Sequence, residues 1–126
     1  MSGHKYSRQR ECVMQFLSGR TDHPTADIVY DNVRNEFPNI SLGTVYRNLN
    51  LLTEMGRISK IPGIGGADHF DPRTDAHCHF ICSRCHRIYN MDNLDIGPFL
   101  QEANKKSPGH IEAFSGTFTG ICTDCA

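Results

Sequence analysis

The 126-residue sequence predicts an α+β chain, an N-terminal winged helix-turn-helix followed by a small α/β domain carrying a four-cysteine zinc site. Three observations predict it. Three amphipathic helical segments and a glycine-tipped hairpin fill the first half. Cys82-x-x-Cys85 and Cys122-x-x-Cys125 then bracket a strand-rich second half. The charge also changes sign: residues 1–61 hold eight Lys/Arg and six Asp/Glu, residues 62–126 five and eight. A mildly basic first half and an acidic, ligand-rich second half imply two jobs. Basicity on this scale does not by itself establish nucleic-acid binding.

Ser7 is placed to cap a first helix with Val13, Met14 and Leu17 on one face and Gly19 beyond its end. In His23-Pro24-Thr25 the proline is expected at the first position of a second helix. Ala26, Val29, Tyr30, Val33 and Phe37 carry its apolar stripe until Pro38-Asn39-Ile40 breaks it. Ser41 caps a third helix, Leu42–Met55, striped by Leu42, Val45, Leu49 and Leu52 and closed by Gly56. Its opposite face carries Thr44, Arg47, Asn48 and Asn50, with Tyr46 on the flank. Ile58–Ile61 and Ala67–Phe70 flank Pro62-Gly63-Ile64-Gly65-Gly66 as a hairpin. In a winged helix-turn-helix the third segment would enter the major groove, with Thr44, Tyr46, Arg47 and Asn48 as DNA-contacting candidates. The competing reading is a packed helix with a solvated polar face.

Asp71–Asp75 is a polar link and a natural boundary. Beyond it, His77–Ile81 and Arg87–Met91 read as strands joined through the first cysteine pair. Pro98–Lys106 reads as a short helix ended by Ser107-Pro108-Gly109, and Ile111–Ile121 as a final strand or two. The chain has room for one ordinary domain or two very small ones, and small domains often depend on a metal or a partner subunit. It shows no signal-peptide core and no apolar run near the ~20 residues of a membrane span. A cytoplasmic protein is therefore expected, where Cys-x-x-Cys pairs bind metal or catalyse more often than they form disulfides.

Two metal constellations stand side by side. Two Cys-x-x-Cys turns, with residues 86–121 between them, offer four thiolates, the ligand set of a closed structural zinc site. Thioredoxin-like dithiol chemistry would want a single pair at a strand–helix junction. His77-x-His79 offers two imidazoles on one strand face, with Cys78 pointing away. Two histidines alone are weak evidence. With His23 and Asp71 they would make an N/O site suited to iron(II) or manganese(II) across the interdomain link. Cys12 reads as a core residue, and His69 and His86 as solvated or hydrogen-bonded surface histidines.

Taken together, the sequence resembles the ferric-uptake-regulator (Fur) family of metal-dependent repressors over nearly its whole length. The carriers are His23-Pro24-Thr25-Ala26, Ser41 through Leu49, His69-Phe70-Asp71, His77-Cys78-His79 and the two cysteine pairs. The resemblance implies a homodimer with a winged-helix DNA-binding domain at 1–71, a hinge at 72–76, and a dimerisation and metal-binding domain at 77–126. It implies structural Zn2+ at Cys82, Cys85, Cys122 and Cys125, and regulatory Fe2+ or Mn2+ at His23, Asp71, His77 and His79. Asp71 resembles the peroxide-responsive repressor branch, where iron-uptake regulators commonly have Glu.

That branch usually has an aspartate as fifth ligand where this sequence has Asn90; Asp92, two residues on, could substitute. The family's extra N-terminal helix is expected to be shortened or missing. Phe114 and Gly97 fall where further ligands of three-site relatives would stand. The function implied is a repressor of palindromic double-stranded operators that senses peroxide through oxidation of His23 or His77. The alternatives are an iron-responsive uptake regulator without peroxide sensing and a zinc-uptake regulator, which a site without sulfur disfavours. A thiol redox enzyme would need a general base, nucleophile and substrate pocket that are not evident, so an enzyme is not expected.

Overall fold

The protein is described from a computed structural model that covers residues 7–63, 66–74, 78–92, 94–112, 114 and 116–126. The chain divides into two compact units, Met1–Thr74 and Asp75–Ala126.

The first unit holds helices α1 (Arg8–Leu17), α2 (Ala26–Val33) and α3 (Leu42–Glu54), then strands β1 (Ser59–Pro62) and β2 (Asp68–Asp71). Ser7 caps α1 by accepting from the Arg10 N–H at 3.2 Å. Ser41 caps α3 by accepting from the Thr44 N–H at 3.0 Å, satisfying a donor that has no partner inside the helix. At the other end of α3, Gly56 adopts φ 75°. Its N–H reaches the Thr53 carbonyl while that of Arg57 reaches Leu52, both at 3.0 Å. This paired closure needs a left-handed residue and so favours glycine.

The three helices pack on one another around Val13, Leu17, Ala26, Val29, Val33, Ile40, Val45, Leu49 and Leu52, joined by Ile58 and Phe70 from the wing. β1 and β2 pair antiparallel, Ser59 opposite Asp71 and Pro62 opposite Asp68.

Two expectations for α2 are corrected. Pro24 is not the first helical residue, because Thr25 is the N-cap. Its ring instead precedes the cap, and its carbonyl accepts from the Phe70 N–H at 3.0 Å. Thr25 adds a bridge to His69, so this loop serves as a further edge of the wing and cannot wind into the helix. The helix also ends at Val33 rather than reaching Phe37. Phe37 still meets the core through a turn in which its N–H donates to the Val33 carbonyl at 3.0 Å.

In the second unit, β3 (Cys78–Cys82) is the middle strand of three. β4 (Ile88–Met91) lies antiparallel on one side and β5 (Gly116–Gly120) parallel on the other. A parallel return requires a long connection, and α4 (Gly97–Lys106) lies within it. Pro98 sits in its first turn and Lys105 and Lys106 in its last, both favourable positions. Of the expected segment Ile111–Ile121, only β5 is a strand among the described residues. Gly116 is confined: a Cβ there would stand 2.7 Å from the Phe114 ring and 3.3 Å from the Cys78 sulfur. Among the described residues of this unit, the buried apolar ones are Cys78, Ile81, Cys82, Ile88 and Cys122.

Candidate metal centres and nucleic-acid interface

The four thiols expected to bind zinc come together. Cys82 ends β3, Cys85 closes the turn after it, and Cys122 and Cys125 bracket a second turn beyond β5. Their sulfurs lie within 4.8 Å of one another, and those of Cys85 and Cys122 are 3.8 Å apart. All four cysteines are free thiols. A tetrahedron with Zn–S bonds of ~2.3 Å has S···S edges of about 3.8 Å, so the cluster is compatible with a zinc site.

The backbone prepares it. The Cys82 sulfur accepts from the N–H groups of Cys122, Cys85 and Arg84, each at 3.4 Å. Those donors, Cys122 first, lower its pKa to about 5. At Cys122 burial raises the pKa, but hydrogen bonds from Tyr89 and Cys125 outweigh it and leave the thiol below its usual range. Cys125 is pushed up to about 12, chiefly by its hydrogen bond to Cys122. The cluster thus stabilises negative charge on two sulfurs and crowds the remaining protons elsewhere. A divalent cation relieves that crowding by displacing the protons. Tyr89, whose oxygen accepts from Arg87 at 3.3 Å, is a second-layer partner of the cluster that sequence reading did not pick out.

In the first unit, His23 and Asp71 also come together. His23 lies in the loop between α1 and α2, and Asp71 ends β2. The His23 Nε2 stands 3.3 Å from the Asp71 Oδ2, with the two side chains 0% and 1% exposed. The other carboxylate oxygen accepts from the Arg73 N–H at 2.9 Å. Burying a carboxylate is costly without partners, and this one has the Arg73 N–H and the His23 ring beside it. An imidazole nitrogen and a carboxylate oxygen at this separation form half of an N/O site of the kind that suits iron(II) or manganese(II).

In the second unit, His79 is a buried residue of β3 and its cross-strand neighbour is Asn90. Asp92 lies past the end of β4 and is exposed. His77 lies outside the described residues. Cys78 faces away from His79, as expected: it lines a largely apolar cavity of about 450 Å³ with Leu94, Ile96, Phe99, Phe114 and Phe118. His86 is exposed, in the turn after Cys85.

On α3, Arg47 and Tyr46 are exposed, Tyr46 at 39%. Thr44 is half-buried and its hydroxyl accepts from that of Ser41 at 2.9 Å. Asn48 corrects the expectation. It is 4% exposed because it stands three residues after Val45 and four before Leu52, on the packed stripe. Its polarity, not its spacing, had assigned it to the outer face. Among the described residues no helix is long and apolar enough to cross a membrane.

Three helices, a two-stranded wing, a four-thiol cluster and a buried His–Asp pair define the class: a winged-helix protein equipped for metal binding. The profile of the ferric uptake regulator family matches residues 1–115. The peroxide-responsive repressor PerR of Staphylococcus saprophyticus is 30% identical over 124 residues, 98% of this chain and 84% of that protein. Among solved structures, the Helicobacter pylori ferric uptake regulator Fur, with three functional metal-binding sites, aligns with a TM-score of 0.85 at 26% identity. The alignment covers 98% of this chain and 83% of that one. The Campylobacter jejuni peroxide stress regulator aligns at 0.80 and 30% identity, over 93% and 88%. The chain belongs to the ferric uptake regulator family, and is accordingly a metal-responsive regulator of transcription.

Proposed function

We propose that the protein is a metal-activated DNA-binding repressor that senses peroxide. The observation that carries this reading is the buried His23–Asp71 pair, 3.3 Å apart. It is a preformed N/O donor set with an aspartate where iron-uptake regulators commonly carry glutamate. His77 and His79 supply the remaining nitrogen ligands, and Asn90, which faces His79 across the β3–β4 ladder, supplies a neutral carbonyl oxygen in preference to Asp92. Cys82, Cys85, Cys122 and Cys125 hold a structural zinc ion.

The regulatory ligands come from both units, so holding one metal ties the reading head to the second unit. A ligand set that favours the closed arrangement by about 10⁴-fold, ~5.5 kcal/mol, takes the population from nearly all open to nearly all closed. In the closed state α3 enters the major groove with Arg47 and Tyr46 at phosphates or base edges. The protein works as a homodimer on palindromic operators. The exposed apolar side chains Leu94, Phe99, Phe118 and Ile121 of the second unit supply a surface of the kind that association covers.

Ferrous iron held by these ligands would activate peroxide for O–O cleavage; one peroxide oxygen would replace a ring hydrogen of a ligand imidazole, which is oxidised by two electrons, and the other would leave as water. His23 and His77 are the oxidation targets; the modified ring no longer ligates, and the reading head is released from DNA. Salt-sensitive binding to an operator duplex by the iron and manganese forms, measured before and after peroxide, tests the reading. Peroxide should abolish binding by the iron form only, with +16 Da on the peptide bearing His23 or His77. An iron form that keeps its DNA affinity, or that gains oxygen only on cysteine, would overturn it in favour of an iron-responsive uptake regulator.

A further inference from the structure

The imidazole of His69 occupies a place in the first unit that the ligand set leaves unused. It lies on β2, two residues before Asp71, and its Nδ1 stands 2.7 Å from the backbone carbonyl oxygen of His23. A carbonyl only accepts, so Nδ1 carries the proton and donates it. His23 needs such support. Its φ is 51°, in the left-handed region that a non-glycine residue adopts only where its surroundings hold it. Neighbouring contacts anchor the chain on the far side, where the Phe70 N–H donates to the Pro24 carbonyl at 3.0 Å. The bond from His69 falls on the strained residue itself.

The other edge of the same ring meets the wing. A Cβ added at Gly63 would stand 2.8 Å from the His69 Cδ2 and 3.0 Å from its Nε2, and 2.4 Å from the Ala67 carbonyl oxygen. Glycine at 63 therefore makes the room in which His69 lies. The Gly63 N–H donates to that Ala67 carbonyl at 2.9 Å, so the ring rests against a hydrogen-bonded part of the hairpin.

We propose that His69 is a positioning residue for the regulatory metal: seated over Gly63 in the wing, it donates from Nδ1 to the His23 carbonyl and holds His23 in the left-handed conformation that presents its imidazole to Asp71. This rests on reading His23 and Asp71 as metal ligands. It also makes the geometry of the wing, which flanks DNA, a determinant of metal affinity. Without the bond, His23 relaxes to the ordinary negative φ and its ring turns from Asp71.

The test uses the full-length, zinc-loaded protein and Mn(II) alone as the probe, with free Mn(II) read by electron paramagnetic resonance. His69→Phe keeps a ring but no donor, and should weaken Mn(II) binding roughly 10- to 100-fold, the range for lost outer-layer partners. His69→Asn returns an N–H at the place of Nδ1 and should recover most of that loss. Zinc content should be unchanged in both. Wild-type affinity in folded His69→Phe, or equal loss in the Phe and Asn variants, overturns the assignment. Should His69→Phe not fold, His69→Leu, which also lacks the donor, takes its place, and unchanged Mn(II) binding there is the overturning result. His23→Ala separates the two levels. If it binds Mn(II) like wild type, the ligand set itself is wrong; if it loses binding while His69→Phe does not, only the role of His69 fails.

Discussion

Removing the zinc should unfold the second unit and leave the first standing. The contrast in their interiors sets the expectation. The first unit buries Val13, Leu17, Val29, Val33, Val45, Leu49, Leu52, Ile58 and Phe70 in one cluster. Among the described residues of the second, the buried apolar side chains are Ile81, Ile88 and three cysteines, and α4 buries none. Two isoleucines contribute about 3–6 kcal/mol at ~1.5–3 kcal/mol each, whereas a structural zinc ion in a small module is worth ~10–16 kcal/mol. The metal therefore outweighs the two isoleucines by roughly 1.7- to 5-fold. It also ties the end of β3 to the turn after β5, a contact distant in sequence. The Arg87–Asp124 ion pair at 3.4 Å spans the same gap, but both side chains are exposed and such pairs hold little. Hydrogen–deuterium exchange before and after a strong chelator reads this directly. Amides of Cys78–Cys82, Ile88–Met91 and Gly116–Gly120 should lose protection as one ion per chain is released, while α1 and α3 keep theirs. Protected β3, β4 and β5 in protein shown to be zinc-free, or simultaneous loss in both units, would refute the reasoning.

Two further predictions concern particular side chains. Arg47→Ala should weaken operator binding and lower its salt dependence while leaving the melting temperature unchanged, because Arg47 is exposed. Asn48→Ala should instead destabilise the first unit by about 0.5–3 kcal/mol, because it removes a buried side chain from the packed stripe of α3. Operator titrations at several salt concentrations, with thermal melts of the same samples, separate the two. Asn90→Asp should tighten Mn(II) binding by roughly tenfold, about 1.4 kcal/mol, since it places a formal negative charge across from His79; unchanged Mn(II) affinity would remove position 90 from the ligand set.

The sequence disclosed most of this arrangement through spacing and little of it through residue type alone. Helical stripes in α1 and α3, their Ser caps and the closing Gly56 all follow from local rules, and each was legible because the physics acts within a few residues. The four cysteines were legible for a different reason: two knuckles have few uses other than a shared ion. At Pro24 and Asn48 a general residue preference yields to the neighbours that the fold supplies. The proline favours a helix start in isolation, yet its carbonyl is claimed by Phe70 from a strand far along the chain, and that pairing holds the loop extended. Asn48 is polar, yet helical periodicity already put it between Val45 and Leu52, so spacing was the better guide.

His69 marks where sequence reading ends. Its hydrogen bond to the His23 carbonyl depends on the wing folding back against the α1–α2 loop and on the space left at Gly63. No local pattern encodes either. What a sequence does offer is the left-handed strain at His23 in hindsight: a histidine required at a position where the backbone resists it needs a second residue to hold it there. The partner of a strained ligand is therefore to be sought on the element that folds over it, and here that element also carries Asp71. One short strand thus supplies both a candidate ligand and the group that orients the other, so a change in the wing alters both donors together.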